Sequence, residues 1–329
     1  MKTYFDSRVT NKSNPTVVSF DCIGGVCGGI GDRMRGFAQV FLEAKHLGFE
    51  VVFQANKVLF PGLVSLTDAL EQHDTIRTKQ TRSIQIQQWN PDGSLNTCEW
   101  KEYQRINIST NVFPTGVVGC DQKERIDMHN SFFKRCNASS VVGCIWWYCF
   151  TIASRLEHAI LIELKDFKKW KEARGREKLK VIAVHVRVGD VMSGYIQKDK
   201  VPVGPSLDIL ATKCTKCAVR TAESMGFVNA AILLVSDSQI IKTRFRSIAH
   251  GRVWTPGTQS GHIEKSTQSL SGADLYFGAL VDIFLLSLSD ALIKSESGFS
   301  NLSHGLGMYP PDRVSTFASC GLNTRSGGL

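Results

Sequence analysis

The run VIAVHVRVGD, residues 181–190, constrains the fold of this chain more than any other. Five of its first six residues are small or β-branched and apolar, the signature of a strand buried on both faces. Such strands belong to parallel sheets with helices packed on each side. The strand predicted over 181–188 delivers a histidine, an arginine, a glycine and an aspartate to its carboxyl end, where open parallel sheets bind ligands. Arg187 offers a planar fork of donors suited to phosphate. Gly189 lets the backbone turn sharply. A structural turn closed by an Arg187–Asp190 ion pair would carry the same pattern, so the run by itself fixes a strand and leaves its use open.

The remainder of the chain alternates strand and helix signals. Residues 16–20 (TVVSF) read as a first strand, followed by a glycine-rich turn over 24–31. A helix is predicted over 33–47, with Met34, Phe37, Val40, Phe41 and Ala44 at helical intervals and Gly48 as its stop. Residues 50–54 complete a strand–helix–strand unit. Residues 75–135 are polar and irregular, with weak strand signals. A long helix follows over 153–176, and its lysine-rich end, 168–180, is the predicted linker. Beyond it come helix 206–225, strand 230–236, helices 239–249 and 273–289, strand 290–294 and a helix after Ser300. Alternation of this kind implies parallel sheets with right-handed crossovers. The expected fold class is α/β, with a first domain over 15–170 and a second over 178–318.

Composition narrows the partners. The 329 residues are 43% hydrophobic and 21% charged, a globular balance, and the formal charge of +9 favours anionic ligands. No long basic block and no interleaved aromatic signature accompanies that charge, so nucleic acid is not expected. Four N-x-S tripeptides, at Asn11, Asn107, Asn137 and Asn301, would suit a secreted protein. The ten cysteines permit disulfides, and Cys214 and Cys217 form a C-x-x-C whose state, bonded or free, the sequence leaves open. No second such pair completes a zinc site, and no metal is expected. Residues 141–153 are too short to span a bilayer and 275–293 contain Asp282 and Asp290, so both read as buried helices. The first 14 residues lack an apolar signal core.

Four motifs in order along the chain give a more specific reading. They are Gly28-Gly29-Ile30-Gly31-Asp32-Arg33, His185-Val186-Arg187-Val188-Gly189-Asp190, Ser236-Asp237-Ser238-Gln239-Ile240-Ile241-Lys242 and Ser295-Glu296-Ser297-Gly298-Phe299-Ser300. Together they resemble the α1,2-, α1,6- and protein-O-fucosyltransferases that share an H-x-R-x-G-D motif. The resemblance spans about residues 20–308, and nothing between 50 and 175 takes part in it. It implies a GT-B-like architecture of two facing Rossmann-type domains, with the acceptor on the first and the nucleotide sugar on the second. Members in the Golgi carry an N-terminal anchor, so the resemblance implies a secretory lumen for a trimmed catalytic domain and the cytoplasm for a full-length chain.

The resemblance also implies roles. Arg187 would stabilise the departing diphosphate of GDP-fucose, supplying charge where it develops. His185 would pack by the guanine, unless it is simply a satisfied residue at a strand end. Asp237 would accept from the guanine edge. Ser297, Gly298, Phe299 and Ser300 would meet phosphate at a helix N-terminus, although Ser297 or Ser300 could equally serve as an N-cap. Gly29, Gly31 and Arg33 would reach toward the donor from the first domain. An inverting transfer wants a base for the acceptor hydroxyl, with Asp32 the first candidate and Asp190 the second. Asp274 and Asp282 precede the last motif and either face the site or solvate.

Other readings are weaker. The loop over 24–35 fails the G-x-G-x-x-G pattern, and no acidic residue ends the strand at 50–54, which disfavours NAD. A D-x-D pair is absent from the sequence, so metal-independent transfer is the expectation. A glycosyltransferase using another nucleotide sugar and a non-catalytic glycan- or nucleotide-binding module stand as alternatives. A redox protein built on Cys214 and Cys217 fits poorly, because the pair does not sit at a strand-to-helix junction.

Overall fold

Two stretches of alternating strand and helix become two parallel sheets, each in its own compact unit, Met1–Ala153 and Ser154–Leu329. The structure, a computed structural model, describes residues 17–20, 30–46, 50–53, 64–66, 81–86, 105–110, 138–175, 178–187, 205–249, 251–258, 272–295 and 297–320.

In the first unit, β1 (Val17–Phe20), α1 (Ile30–His46) and β2 (Glu50–Phe53) form the expected strand–helix–strand start. Met34, Phe37, Val40, Phe41 and Ala44 are all fully buried, so the helix exists to cover the sheet with that stripe. Its partners include α2 (Ala138–Cys149). Phe37 and Trp146 both pack on Phe150, at ring-centroid distances of 5.4 and 5.1 Å. Segment 75–135 departs from its irregular reading by supplying β4 (Thr81–Ile86) and β5 (Arg105–Thr110) to a parallel sheet ordered β2-β1-β5-β4. Polar composition hides these strands, and the partner of β5 that defines it, β1, lies far back in the sequence. The single buried helix expected over 141–153 also changes: it ends at Cys149, and β6 (Phe150–Ile152) pairs antiparallel with β3 (Val64–Leu66). A β-branched and aromatic triplet favours that extended ending.

The second unit opens with α3 (Ser154–Glu172), which packs on α6 (Gly272–Ser287). The division therefore falls before this helix, ahead of the charged 168–180 segment read as a linker. Next come β7 (Val181–Val186), α4 (Pro205–Ser224), β8 (Ala231–Ser236), α5 (Gln239–Ile248) and β9 (Val253–Trp254). After α6 follow β10 (Ala291–Lys294), α7 (Gly298–Gly307) and β11 (Val314–Thr316). All five strands run parallel in the order β11-β10-β7-β8-β9. The chain builds outward from β7 to β9, then returns to the other side of β7, which makes the β7–β10 seam the switch point of the sheet.

Side-chain parity on β7 divides the labour. Ile182, Val184 and Val186 enter a core with Ala211, Cys214 and Ala218 of α4 and with Ile241 and Phe245 of α5. Fully burying an aliphatic side chain is worth about 1.5–3 kcal/mol, so this face alone holds the strand firmly. Ala183 and His185 point to the opposite face, toward α6 and α7.

Two polar devices complete the unit. Glu163 of α3 accepts from the backbone N–H groups of Gly257 and Thr258, at 3.1 and 2.9 Å, while the buried Lys242 donates to the Thr258 carbonyl. Cys217 is disulfide-bonded to Cys320, and Cys214 is a free, buried thiol that burial pushes up to about 12. The C-x-x-C is therefore not a dithiol pair. No helix among the described residues is long and apolar enough to cross a membrane.

Candidate functional site

The carboxyl ends of β7, β8 and β10 gather three of the four sequence motifs. Register does this work: His185 lies beside Val235 and Val186 beside Ser236, so Arg187 and Asp237 follow as the next neighbours. On the other side Val184 pairs with Ile293, which sets Lys294 and Ser295 next to His185. Crevices at such switch points are the usual ligand sites of open α/β sheets.

His185 is the buried hub, only 2% exposed. Its Nδ1 lies 2.8 Å from the Ser295 hydroxyl and is also hydrogen-bonded to Ser300. Phe299 stacks on its ring at 4.7 Å and 16°. Burial first, and the Arg187 charge second, push the imidazole down to about 3, so the ring is neutral at physiological pH. A hub that is neutral and clamped on one edge positions groups; it does not carry charge to a ligand.

Arg187 supplies the charge. Its Nε stands 3.2 Å from Asp237 Oδ2, and its side chain is 21% exposed against 5% for the aspartate. The arginine is thus the outer member of the pair.

The N-terminus of α7 supplies dipolar donors. Ser297 is the N-cap, its hydroxyl accepting from the Ser300 backbone N–H at 3.2 Å, which decides between the two capping candidates. Ser295, Ser297 and Ser300 hydroxyls link in a chain of 3.2 Å contacts. The helix begins at Gly298, three residues earlier than its predicted start, and Phe299 lies in its first turn. Free amides here favour an anion. A feature missed in the sequence lies beside it: Lys294 ends β10 half-buried, donating to Asn301 Oδ1 at 2.9 Å, with burial holding its pKa below the usual lysine range. A lysine closing an otherwise apolar strand was the available signal. The same contact ties Asn301 into the fold. His304, one turn beyond Ser300, is pushed down to about 4 by burial and by the Lys294 charge, with the Tyr309 backbone pulling the other way.

The structure thus brings together His185, Arg187, Asp237, Ser297, Gly298, Phe299 and Ser300. Gly31, Asp32 and Arg33 lie in the first turn of α1 in the other unit. Gly29 and Asp190 lie outside the described residues. Of the two acids before the last motif, Asp274 is exposed and Asp282 fully buried within α6.

No family model matches the chain, and no curated protein matches it. Solved structures do. An arginine-to-lysine variant of Arabidopsis thaliana FUT1 in complex with GDP superposes with a TM-score of 0.57 at 15% identity, covering 93% of this chain and 72% of that one. NodZ α-1,6-fucosyltransferase from Bradyrhizobium, soaked with GDP-fucose, gives 0.51 at 14% identity, covering 89% and 93%. The chain shares their fold. That finding bears out the α/β class with two parallel-sheet units.

Proposed function

We propose that the chain is an inverting fucosyltransferase that moves L-fucose from GDP-β-L-fucose to a glycan hydroxyl with formation of an α-fucosyl linkage. The observation that carries this reading is Arg187, partly exposed at the carboxyl end of β7, with the start of α7 following the neighbouring strand β10. Both favour a diphosphate. The shared fold with FUT1 and NodZ, solved with GDP and GDP-fucose, and the four-motif resemblance support GDP-fucose as the donor.

In this reading the acceptor oxygen attacks the anomeric carbon of fucose as the bond from that carbon to the diphosphate oxygen breaks. Arg187 and the α7 amides receive the negative charge that accumulates on the leaving GDP. A carboxylate takes the acceptor proton, with Asp32 and Asp190 the proposed candidates. His185 packs by the base while its Nδ1 edge stays clamped by serines. Gly29, Gly31 and Arg33 are further proposed donor-binding residues, on the four-motif resemblance. Arginine and amides provide the neutralisation a metal would otherwise give, so transfer is metal-independent.

Calorimetric titration with GDP, UDP and ADP, each with EDTA and with magnesium, tests this. Selective GDP binding that survives EDTA, followed by transfer from GDP-fucose in a glycan screen, is the expected result. Preference for UDP would assign another donor. GDP binding without turnover on any acceptor would favour a binding module.

A further inference from the structure

We propose that the outer side of α3 docks on an anionic phospholipid bilayer. The helix is amphipathic by its own spacing: Leu156, Ile160, Glu163 and Phe167 form its buried side, and the opposite side is exposed. On that outer side Leu161 and Ile162 are neighbours, 55% and 48% exposed. Lys165 and Lys168 continue the row of Leu161 along the helix, and Lys169 continues that of Ile162; all three lysines are exposed. Over 154–178 the exposed described residues include six bases, Arg155, Lys165, Lys168, Lys169, Arg174 and Lys178, against three acids, Glu157, Asp166 and Glu172.

Charge selects the sign of the partner, and the apolar pair selects its kind. A soluble polyanion would pair with the lysines and leave Leu161 and Ile162 in water. An anionic bilayer takes both, because headgroup phosphates meet the ammonium groups while the two apolar side chains enter the acyl boundary. Lysine suits such a place, since its stem can lie along the apolar layer with the charge held among the headgroups. The acids on this side do not cancel the field. Asp166 stands 3.6 Å from Lys169 and Glu172 stands 3.7 Å from Lys168, with every partner at least 43% exposed. Pairs so exposed hold weakly and give way to a denser array of anions. The contact is peripheral, as no helix among the described residues is long and apolar enough to cross a membrane. It uses none of the residues of the nucleotide reading, so the two stand or fall separately.

The test sediments the full chain with vesicles of phosphatidylcholine alone and of an equal mixture of phosphatidylcholine and phosphatidylserine, at low and at raised salt. Three variants accompany the wild type: the triple Lys165→Gln, Lys168→Gln, Lys169→Gln; the double Leu161→Ser, Ile162→Ser; and the double Lys213→Gln, Lys216→Gln. The last pair is exposed on α4, which packs on the Ile182, Val184 and Val186 side of the sheet, and controls for net charge. All these positions are exposed, so urea midpoints should match the wild type. The wild type should bind the mixed vesicles, ignore phosphatidylcholine alone and release as salt rises. The triple variant should bind about a hundredfold more weakly, roughly fivefold for each lysine. Loss of the apolar pair should weaken binding about tenfold, and the α4 pair should leave it close to wild type. Absence of wild-type binding to the mixed vesicles, or equal binding to both kinds, would overturn the proposal. An equal loss in the α4 pair and the α3 lysines would reduce it to net charge. Binding that survives Leu161→Ser, Ile162→Ser unchanged would make the face a site for polyanions in general, and that too would overturn it.

Discussion

His185 Nδ1 lies 2.8 Å from the hydroxyl of Ser295, a residue 110 positions further along the chain. The contact joins the central strand of the second sheet to the strand that returns beside it. It also fixes the state of the histidine, since a ring enclosed by Ser295, Ser300 and Phe299 has little water to support a charge.

Stability should therefore fall in acid. His185 titrates near 3 and His304 near 4 in the folded chain, against 6.5 when unfolded. Between these values the unfolded chain binds more protons, so stability is complete above about pH 6.5 and is lost as pH falls toward 4 and below. Urea unfolding at pH 7, 5.5 and 4.5 should show falling midpoints, with a shallower decline in His185→Gln. An equal slope in that variant would remove His185 as a cause. GDP binding should show no His185 transition between pH 6 and 8.

Arg187→Ala should lower kcat/KM for transfer by a factor corresponding to about 3–4 kcal/mol, in line with deletion of a charge-stabilising donor elsewhere. Arg187→Lys should recover only part of it, because an ammonium is a point charge with no fork to grip two oxygens. Full activity in either variant would displace the arginine from the reacting centre. Steady-state kinetics with GDP-fucose supply the measurement.

The Cys217–Cys320 disulfide spans 103 residues of the second unit. Cys320→Ser should cost about 2–4 kcal/mol of stability, read as a lower denaturation midpoint. Cys214, buried and with its thiol pushed up to about 12, should resist alkylation in the native chain and react only after unfolding. Ready labelling of native Cys214 would contradict its placement in the α4 core.

Gly307→Ala should be destabilising by roughly 1–3 kcal/mol, an overpacking effect. A Cβ at this position would meet the Tyr309 ring and would lie 2.7 Å from the Ser287 carbonyl oxygen. Neither can move freely, since Tyr309 is buried and hydrogen-bonded to Ser289. Thermal melts of the variant and the wild type decide the matter.

Local pattern determined much of this protein. A 3.6-residue spacing names the buried face of α1, from Met34 to Ala44. The apolar run at 181–186 named a central parallel strand, and β7 is one. These features survive without context because a helix stripe or a doubly buried strand is written in consecutive residues. The polar strands β4 and β5 had no such signature and became strands through their neighbours in the sheet. Tertiary structure alone decided that α3 belongs with the second unit, that Cys217 pairs with Cys320 and not Cys214, and that Ser297 is the cap. It also decided that Asp237 pairs with Arg187. The motifs placed these residues on neighbouring strand ends, but a side chain's partner depends on register, parity and depth across strands some fifty residues apart. Those are set when the sheet closes, and no run of consecutive residues encodes them.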